Sequence, residues 1–531
     1  MKNLKAKIIA IAILLVLAGV YYYISLPAIN IHASGLWFFI IMLIVFILLA
    51  YILKKRLRVE EIRLSKFVKI FVILLLVIVA TFMVGSLLSS PIFNAKKYQK
   101  LLTVKEGEFT KDIEELSYDQ IPLLDKESAT ILGERKMGSM IDMASQFDVD
   151  GIYSQINYKD KPVRVSPLKY ASPIKWLTNQ SKGIPAYIMI DMATQTAELV
   201  KLSEGIKYST AEYFNRNIYR HLRFNYPTYI FNELSFEIDE EGVPYWVCPV
   251  KKFKIGLFGG ETIGKVVLCN AITGETTEYN IKDVPEWIDR AYAADLLVQL
   301  YDYYGTLKHG YINSVLGQKD CLVTTDGYNY LAIDDDVWVY TGVTSVSGDQ
   351  SNVGFVLMNQ RTMETKFYVV EGATEYSAMD SAEGQVQNLK YKATFPLLLN
   401  IGGEPTYFIA LKDNAGLVKK YAMVNVQKYQ VVGIGDTVID CEAEYQKLLL
   451  KEGIQQVVDD RESGSITGKI TKIAQGVVNG NSHYYIMVEG SEEIFDISVV
   501  EFIDIIKYEI GQEISLEYKI GEKTNVVTKI E

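Results

Sequence analysis

The sequence predicts a membrane-anchored α+β protein: three N-terminal transmembrane helices, two pseudo-repeated antiparallel sheet-plus-helix units, and a small C-terminal β-barrel. Three observations predict it. Uncharged apolar runs fill residues 8–24, 36–53 and 70–88, and no comparable run follows. Strand-and-turn patterns recur between residues 183–281 and 353–435. Beyond residue 459, short β-rich segments are separated by glycines.

Residues 1–90 form the anchor. A hydrocarbon core of about 30 Å takes about 20 apolar residues in a helix, which each run approaches. Charge sets the orientation. Lys2, Lys5 and Lys7 precede the first run, and residues 26–35 carry no Lys, Arg, Asp or Glu. Lys54, Lys55, Arg56, Arg58, Arg63, Lys66 and Lys69 lie between the second and third runs, opposed only by Glu60 and Glu61. Basic residues near span ends stay cytoplasmic. The N-terminus is therefore expected inside, and everything after about residue 91 outside. Lys96, Lys97 and Lys100 oppose this bias without outnumbering the inner loop. The first run begins like a signal peptide, but bulky Tyr21, Tyr22 and Tyr23 stand where a small-residue cleavage site belongs, so the run is expected to be retained.

Residues 91–182 mix helix and strand, with a helix over 125–136 and strand-like alternation over 152–165. The recurrence follows. Tyr187-Ile-Met-Ile-Asp191-Met-Ala-Thr194 parallels Phe355-Val-Leu-Met-Asn359-Gln-Arg-Thr362, and Tyr208-Ser209 parallels Tyr376-Ser377 at the same distance downstream. Ser209-x-x-Glu212 and Ser377-x-x-Asp380 each fit a capping box opening a helix. Tyr226-Pro227 and Phe395-Pro396 then stop those helices, because proline cannot continue one. Strands resume in both copies. The resulting order is strand, strand, helix, strand, strand, strand, a sheet with a helix on one face.

Residues 282–352 connect the copies and 436–458 form a helix with an acidic start. A polar linker, 459–465, opens the last region, 459–531. Five short strands there suggest a closed barrel of the OB or SH3-like kind.

The formal net charge is -10 and the pI near 5.3, and outside the basic inner loop the sequence shows no basic face of the kind that nucleic-acid binding usually needs. The partners expected instead are membrane lipid and a protein or peptide in the envelope. Cys248, Cys269, Cys321 and Cys441 all fall outside the membrane, where disulfides form. A turn centred on Phe258-Gly259 sets Cys248 opposite Cys269, so a bridge between them is one alternative and free buried thiols the other.

The segments Tyr187–Thr194 and Val266-Val-Leu-Cys-Asn270-Ala-Ile-Thr-Gly-Glu275 resemble PepSY-type domains, which pack a helix on a sheet and occur in peptidase propeptides and bacterial envelope proteins. The second copy departs from the pattern, carrying Val424-Asn-Val-Gln-Lys-Tyr429 where Thr-Gly-Glu is expected. The resemblance implies protein binding or restraint of a protease, without catalysis. The whole chain also resembles three-span membrane proteins of Gram-positive bacteria.

The sequence carries no paired Cys-x-x-Cys, no His-Glu-x-x-His, no phosphate-binding glycine loop and no nucleophile elbow. His32, His221, His309 and His483 are far apart. The Asp334–Asp336 run reads as a solvated turn rather than a cation loop, and Asp148-Val-Asp150 likewise. Gly256-Leu-Phe-Gly-Gly260 reads as a hairpin turn rather than an anion cradle. No catalytic, cofactor-binding or metal residue is assigned and no cofactor is expected. The expected function is non-enzymatic binding of a peptide or protein, with aromatics Tyr245, Trp246 and Tyr407 as anchors and edge-strand pairing as the mode. The alternatives are an envelope hydrolase or transferase whose site converges only in the fold, and a scaffold subunit of a membrane complex.

Overall fold

The computed structural model describes residues 2–55, 65–115, 117, 120–346, 351–454, 463–478, 481–521 and 524–530. Most of the expected basic inner loop (residues 56–64) and part of the polar linker (residues 459–462) lie outside the described residues. The chain divides into two compact units, Met1–Lys451 and Glu452–Glu531.

The first unit opens with three helices: α1 (Lys2–Ser25), α2 (Ser34–Lys55) and α3 (Lys66–Ser89). Among the described residues, two stretches are long and apolar enough to cross a membrane, Ser34–Leu53 and Lys66–Ser89. Only 11% and 6% of their apolar windows are buried, so the rest of the chain leaves most of their apolar surface uncovered. In α1 the described apolar stretch, Ala12–Ser25, is shorter.

Next come α4 (Pro91–Gln99), β1 (Val104–Gly107) and α5 (Lys126–Gly138). Asp125 caps α5, accepting from Ser128 N at 2.8 Å, and Arg135 and Lys136 close its last turn, which suits the helix dipole. A first sheet follows: β2 (Phe147–Val149), β3 (Ser154–Tyr158), β4 (Lys161–Tyr170), β5 (Ile184–Asp191) and β6 (Thr196–Ile206), in the order β2-β4-β5-β6 with β3 also on β4. Helix α6 (Ile218–Asn225) leads to a meander of β7 (Ser235–Ile238), β8 (Pro244–Ile255), β9 (Gly259–Asn270) and β10 (Thr276–Asn280).

Helix α7 (Ala294–Thr306) begins a second series. Strands β11 (Leu322–Thr324) and β12 (Asn329–Ile333) both pair with β13 (Asp336–Ser345), which continues into β14 (Gly354–Asn359) and β15 (Thr365–Tyr368). Helix α8 (Glu375–Gln385) leads to a meander of β16 (Leu397–Ile401), β17 (Glu404–Lys412), β18 (Val418–Asn425) and β19 (Val432–Gly435), and α9 (Val438–Lys451) packs on it.

The two expected capping boxes do not form as read. Helix α6 starts at Ile218, because the Glu212 carboxylate is taken by Tyr170 Oη (2.6 Å) and Trp176 Nε1 (2.8 Å). Helix α8 starts before Ser377, whose backbone N–H donates to Thr374 Oγ1 at 3.3 Å.

The β7–β10 sheet lies between two cores. Trp246, Cys248, Val267 and Cys269 face the core shared with the first sheet. Val247, Val266 and Leu268 face the core shared with α7, β13 and β14. Burial on both faces removes the apolar–polar alternation of a one-sided sheet, and each large side chain so buried contributes about 1.5–3 kcal/mol.

The N-terminal apolar helices are tied to this sheet at the β8–β9 turn. Ser89, at the end of α3, accepts from Leu257 N (2.8 Å) and Phe258 N (3.1 Å). Phe258 packs between Trp37 and Phe82. His32, between α1 and α2, bonds Leu257 O at 2.7 Å and stacks on Phe253. Ile29 N donates to Pro227 O at 2.7 Å.

The second unit is a closed five-stranded barrel: β20 (Ser463–Val478), β21 (Asn481–Val488), β22 (Phe495–Ser498), β23 (Glu513–Lys519) and β24 (Asn525–Ile530). Strand β22 meets β24 in parallel and β20 closes on β23. Ile470, Ile486, Phe495, Ile505, Leu516 and Val527 fill its interior.

Candidate functional site

Two of the three expected anchors lie inside the protein. Trp246 is fully buried and its Nε1 donates to Tyr208 O at 2.9 Å. Tyr407 is fully buried, donates to Ala373 O at 2.8 Å and accepts from Asn352 Nδ2 at 3.1 Å. The two-sided packing of the β7–β10 sheet claims Trp246, and a buried tyrosine whose hydroxyl is satisfied serves the core. Tyr245 is half-buried against Trp287, with ring centroids 5.3 Å apart.

The cysteines are free and buried. Cys248 stands opposite Val267 and Cys269 opposite Trp246. A tip spanning Gly256–Phe258 displaces the register from the one that would pair the thiols, and the bulge between Val250 and Lys251 only partly restores it.

The titratable candidates stay apart. His221 Nε2 bonds Gly274 O (2.8 Å), His309 pairs with Asp320 (3.0 Å), His483 pairs with Asp496 (2.7 Å), and His32 bonds Leu257 O at the β8–β9 turn (2.7 Å). Asp336 is held by Arg361 through bonds of 2.5 and 2.8 Å, and Asp150 by Ile152 N and Thr210 Oγ1. Among the described residues, no group of three or more His, Cys, Asp or Glu is arranged to hold a metal ion.

A buried carboxyl pair was not legible in the sequence. Glu237 accepts from Ser235 Oγ (2.6 Å) and Asp289 N (3.0 Å), and Asp289 accepts from Asn157 N (2.7 Å). Burial, followed by the nearby Glu237 charge, pushes the Asp289 carboxyl well above the usual range. Burial likewise raises Glu237, although Ser235 and the Asp289 amide pull against it. These bonds join β3, β7 and the segment before α7, a structural role.

The arrangement with the chemistry of recognition is a strand edge. Among the described residues, strand β6 ends the first sheet and pairs with β5 alone. Leu199 is turned to the core, while Glu198, Lys201, Ser203 and Glu204 are exposed. The edge thus offers a row of backbone donors and acceptors. In the other sheet the outer edge of β15 is occupied. Strand β1 lies on it in parallel, from Val104 opposite Thr365 to Gly107 opposite Tyr368, with Lys105 Nζ 3.0 Å from Glu364.

No protein-family model matches this chain, and no curated protein matches it in sequence.

Proposed function

We propose that this chain is a non-enzymatic, multi-pass membrane protein whose head faces away from the cytoplasm and binds an extended segment of a protein partner along β6. The observation that carries this reading is the contrast between the edge of β6, which ends its sheet, and that of β15, which holds β1 in parallel. Added strands gain affinity from main-chain hydrogen bonds and specificity from alternate side chains.

The two edges are equivalent if the head is two copies of one unit. The pairing order supports that duplication. From α5 to β10, and from α7 to β19, each series runs helix, two short strands on one long strand, two further strands, helix, and a meander; the first adds a helix (Pro173–Asn179) between β4 and β5, and the second a short strand (Lys392–Ala393) on β17. This order begins well before residues 183 and 353. By that equivalence β6 is the counterpart of β15, the edge on which β1 already sits. Glu198, Lys201 and Glu204 guard the edge against unspecific pairing and select a partner of complementary charge.

Orientation is supported by the junction. The C-terminal ends of α1 and α3 and the α1–α2 connection all meet the head, which leaves the C-terminal end of α2 at Lys55 and the N-terminal end of α3 at Lys66 as the ends away from it. The barrel is read as an OB-type accessory module.

A photo-crosslinking residue at Ser203 in the full-length membrane protein is expected to give a discrete adduct. Prolines at alternate positions over residues 196–201, where the β5–β6 register is continuous, decide its meaning, because only those whose N–H faces outward leave that ladder intact. Loss of the adduct in one alternate set, with the fold retained, supports the reading. An adduct indifferent to both sets, or none, overturns it.

A further inference from the structure

A cavity of about 560 Å³ opens between the first sheet and the α7–β12 region, and two arginines line it. Arg164, on β4, is only 5% exposed. One of its guanidinium nitrogens donates to Gln155 Oε1 at 3.0 Å, and its Nε has no partner. Arg290, half-buried before α7, also has a buried Nε without a partner. Neither arginine forms an ion pair among the described residues.

The acidic residues of the same cavity form no ion pair with either arginine, and outside the lining the Arg290 charge is felt by buried Glu237. Asp125 is bonded by Lys412 Nζ (2.8 Å) and Ser128 N (2.8 Å). Asp295 accepts from Tyr328 Oη at 2.9 Å. Glu233 and Lys126 are exposed rim residues of opposite sign. Burial lowers the Arg164 guanidinium to about 10, against Tyr330 and Asp125, which hold it up, and the neighbouring Arg290 charge adds a smaller push downward.

An arginine taken out of water without a counter-charge is costly, and natural proteins pair such groups. Guanidinium nitrogens match the oxygens of carboxylate and phosphate in pairs. We infer that this cavity is a binding site for a small-molecule oxyanion, a carboxylate or a phosphate ester, gripped between Arg164 and Arg290 with its body against Tyr328 and Tyr330. The site is distinct from the β6 edge and does not depend on a partner protein.

The test is thermal unfolding and titration calorimetry of the full-length protein in detergent, in chloride, inorganic phosphate or benzoate at matched ionic strength. Phosphate or benzoate is expected to raise the melting temperature of the larger unit saturably, since ligand binding to the folded state stabilises it. Phosphate responding alone assigns a phosphate ester, and benzoate responding alone assigns an organic acid. Arg290→Gln is expected to weaken binding at least tenfold, and Lys126→Gln to leave it unchanged. Because Arg164 variants fail to fold if the core requires them, half-buried Arg290 carries the test. Equal shifts in the native chain and in Arg290→Gln, or no saturable response to either anion, overturn the inference.

Discussion

Asp289 holds a carboxyl group where a carboxylate is costly. It is 1% exposed, beside the equally buried Glu237, and its Oδ2 accepts the Asn157 amide. A folded-state pKa above the unfolded one means that the group's stabilising share is complete below the ordinary carboxylate range. That share is lost as pH rises through the raised value. Asp289→Asn is therefore expected to leave neutral-pH stability equal or higher and to flatten its decline with rising pH. Asp289→Ala instead orphans the Asn157 N–H and should cost about 1–3 kcal/mol. Melting curves from pH 5 to 8 check both, and a variant Asn chain with an unchanged slope contradicts the assignment. Gly256 offers a second test at this scale. Its φ is +59° and a Cβ there would run into Ser89 Oγ. Gly256→Ala should loosen the β8–β9 tip from α3, costing about 1–2 kcal/mol from the left-handed backbone alone and exposing Phe258 to quenchers or proteases.

Among elements, α5 shows how a local signal and a distant charge share one side chain. Asp125 caps the helix and also meets Lys412, which is buried to 10% side-chain exposure. Burial pushes the Asp125 carboxyl up, but Lys412 and Ser128 outweigh it and hold it low. A depressed carboxyl stabilises above the ordinary range and loses that share as pH falls through its own value. Asparagine keeps the cap and removes the charge. Asp125→Asn should therefore cost about 1–2 kcal/mol at neutral pH and nothing once acid has neutralised the native residue. A cost that persists at low pH would show that the ion pair is not its source. The edges of β6 and β15 differ by one occupant, β1. Lys105→Pro is expected to weaken β1 pairing by removing an amide from a four-residue strand, and hydrogen exchange along β15 should rise while β6 is unaffected.

In the whole molecule the barrel is a unit with its own core and closed strand order. Residues 463–531 expressed alone should unfold cooperatively, as a domain with a self-contained core does. A gradual, non-cooperative melt would make the barrel dependent on the rest of the chain. The anchor poses the topological question. The proposed orientation expects protease added outside intact spheroplasts to reach the head, and inverted vesicles to protect it.

The helix-forming apolar runs, the expected helix at residues 125–136 and the barrel's glycine-punctuated strands were legible because each rests on local pattern and chemistry. Apolar side chains in uninterrupted runs declare a membrane-length helix, and Asp125 before good helix formers declares a start. The fate of Trp246, Tyr407 and the cysteines was not legible. Strand periodicity says which residues share a face, yet only tertiary packing decided that both faces of the β7–β10 sheet are covered. The β6 edge, the carboxyl pair Glu237–Asp289 and the arginines Arg164 and Arg290 belong to the same class. Their partners, or lack of them, are set by residues distant in the chain. By itself the sequence determined what each segment prefers, through hydrophobicity, capping and charge. The tertiary structure alone decided which edges stay open and which charges stay unpaired, because burial and pairing are properties of neighbours that the chain brings together only on folding.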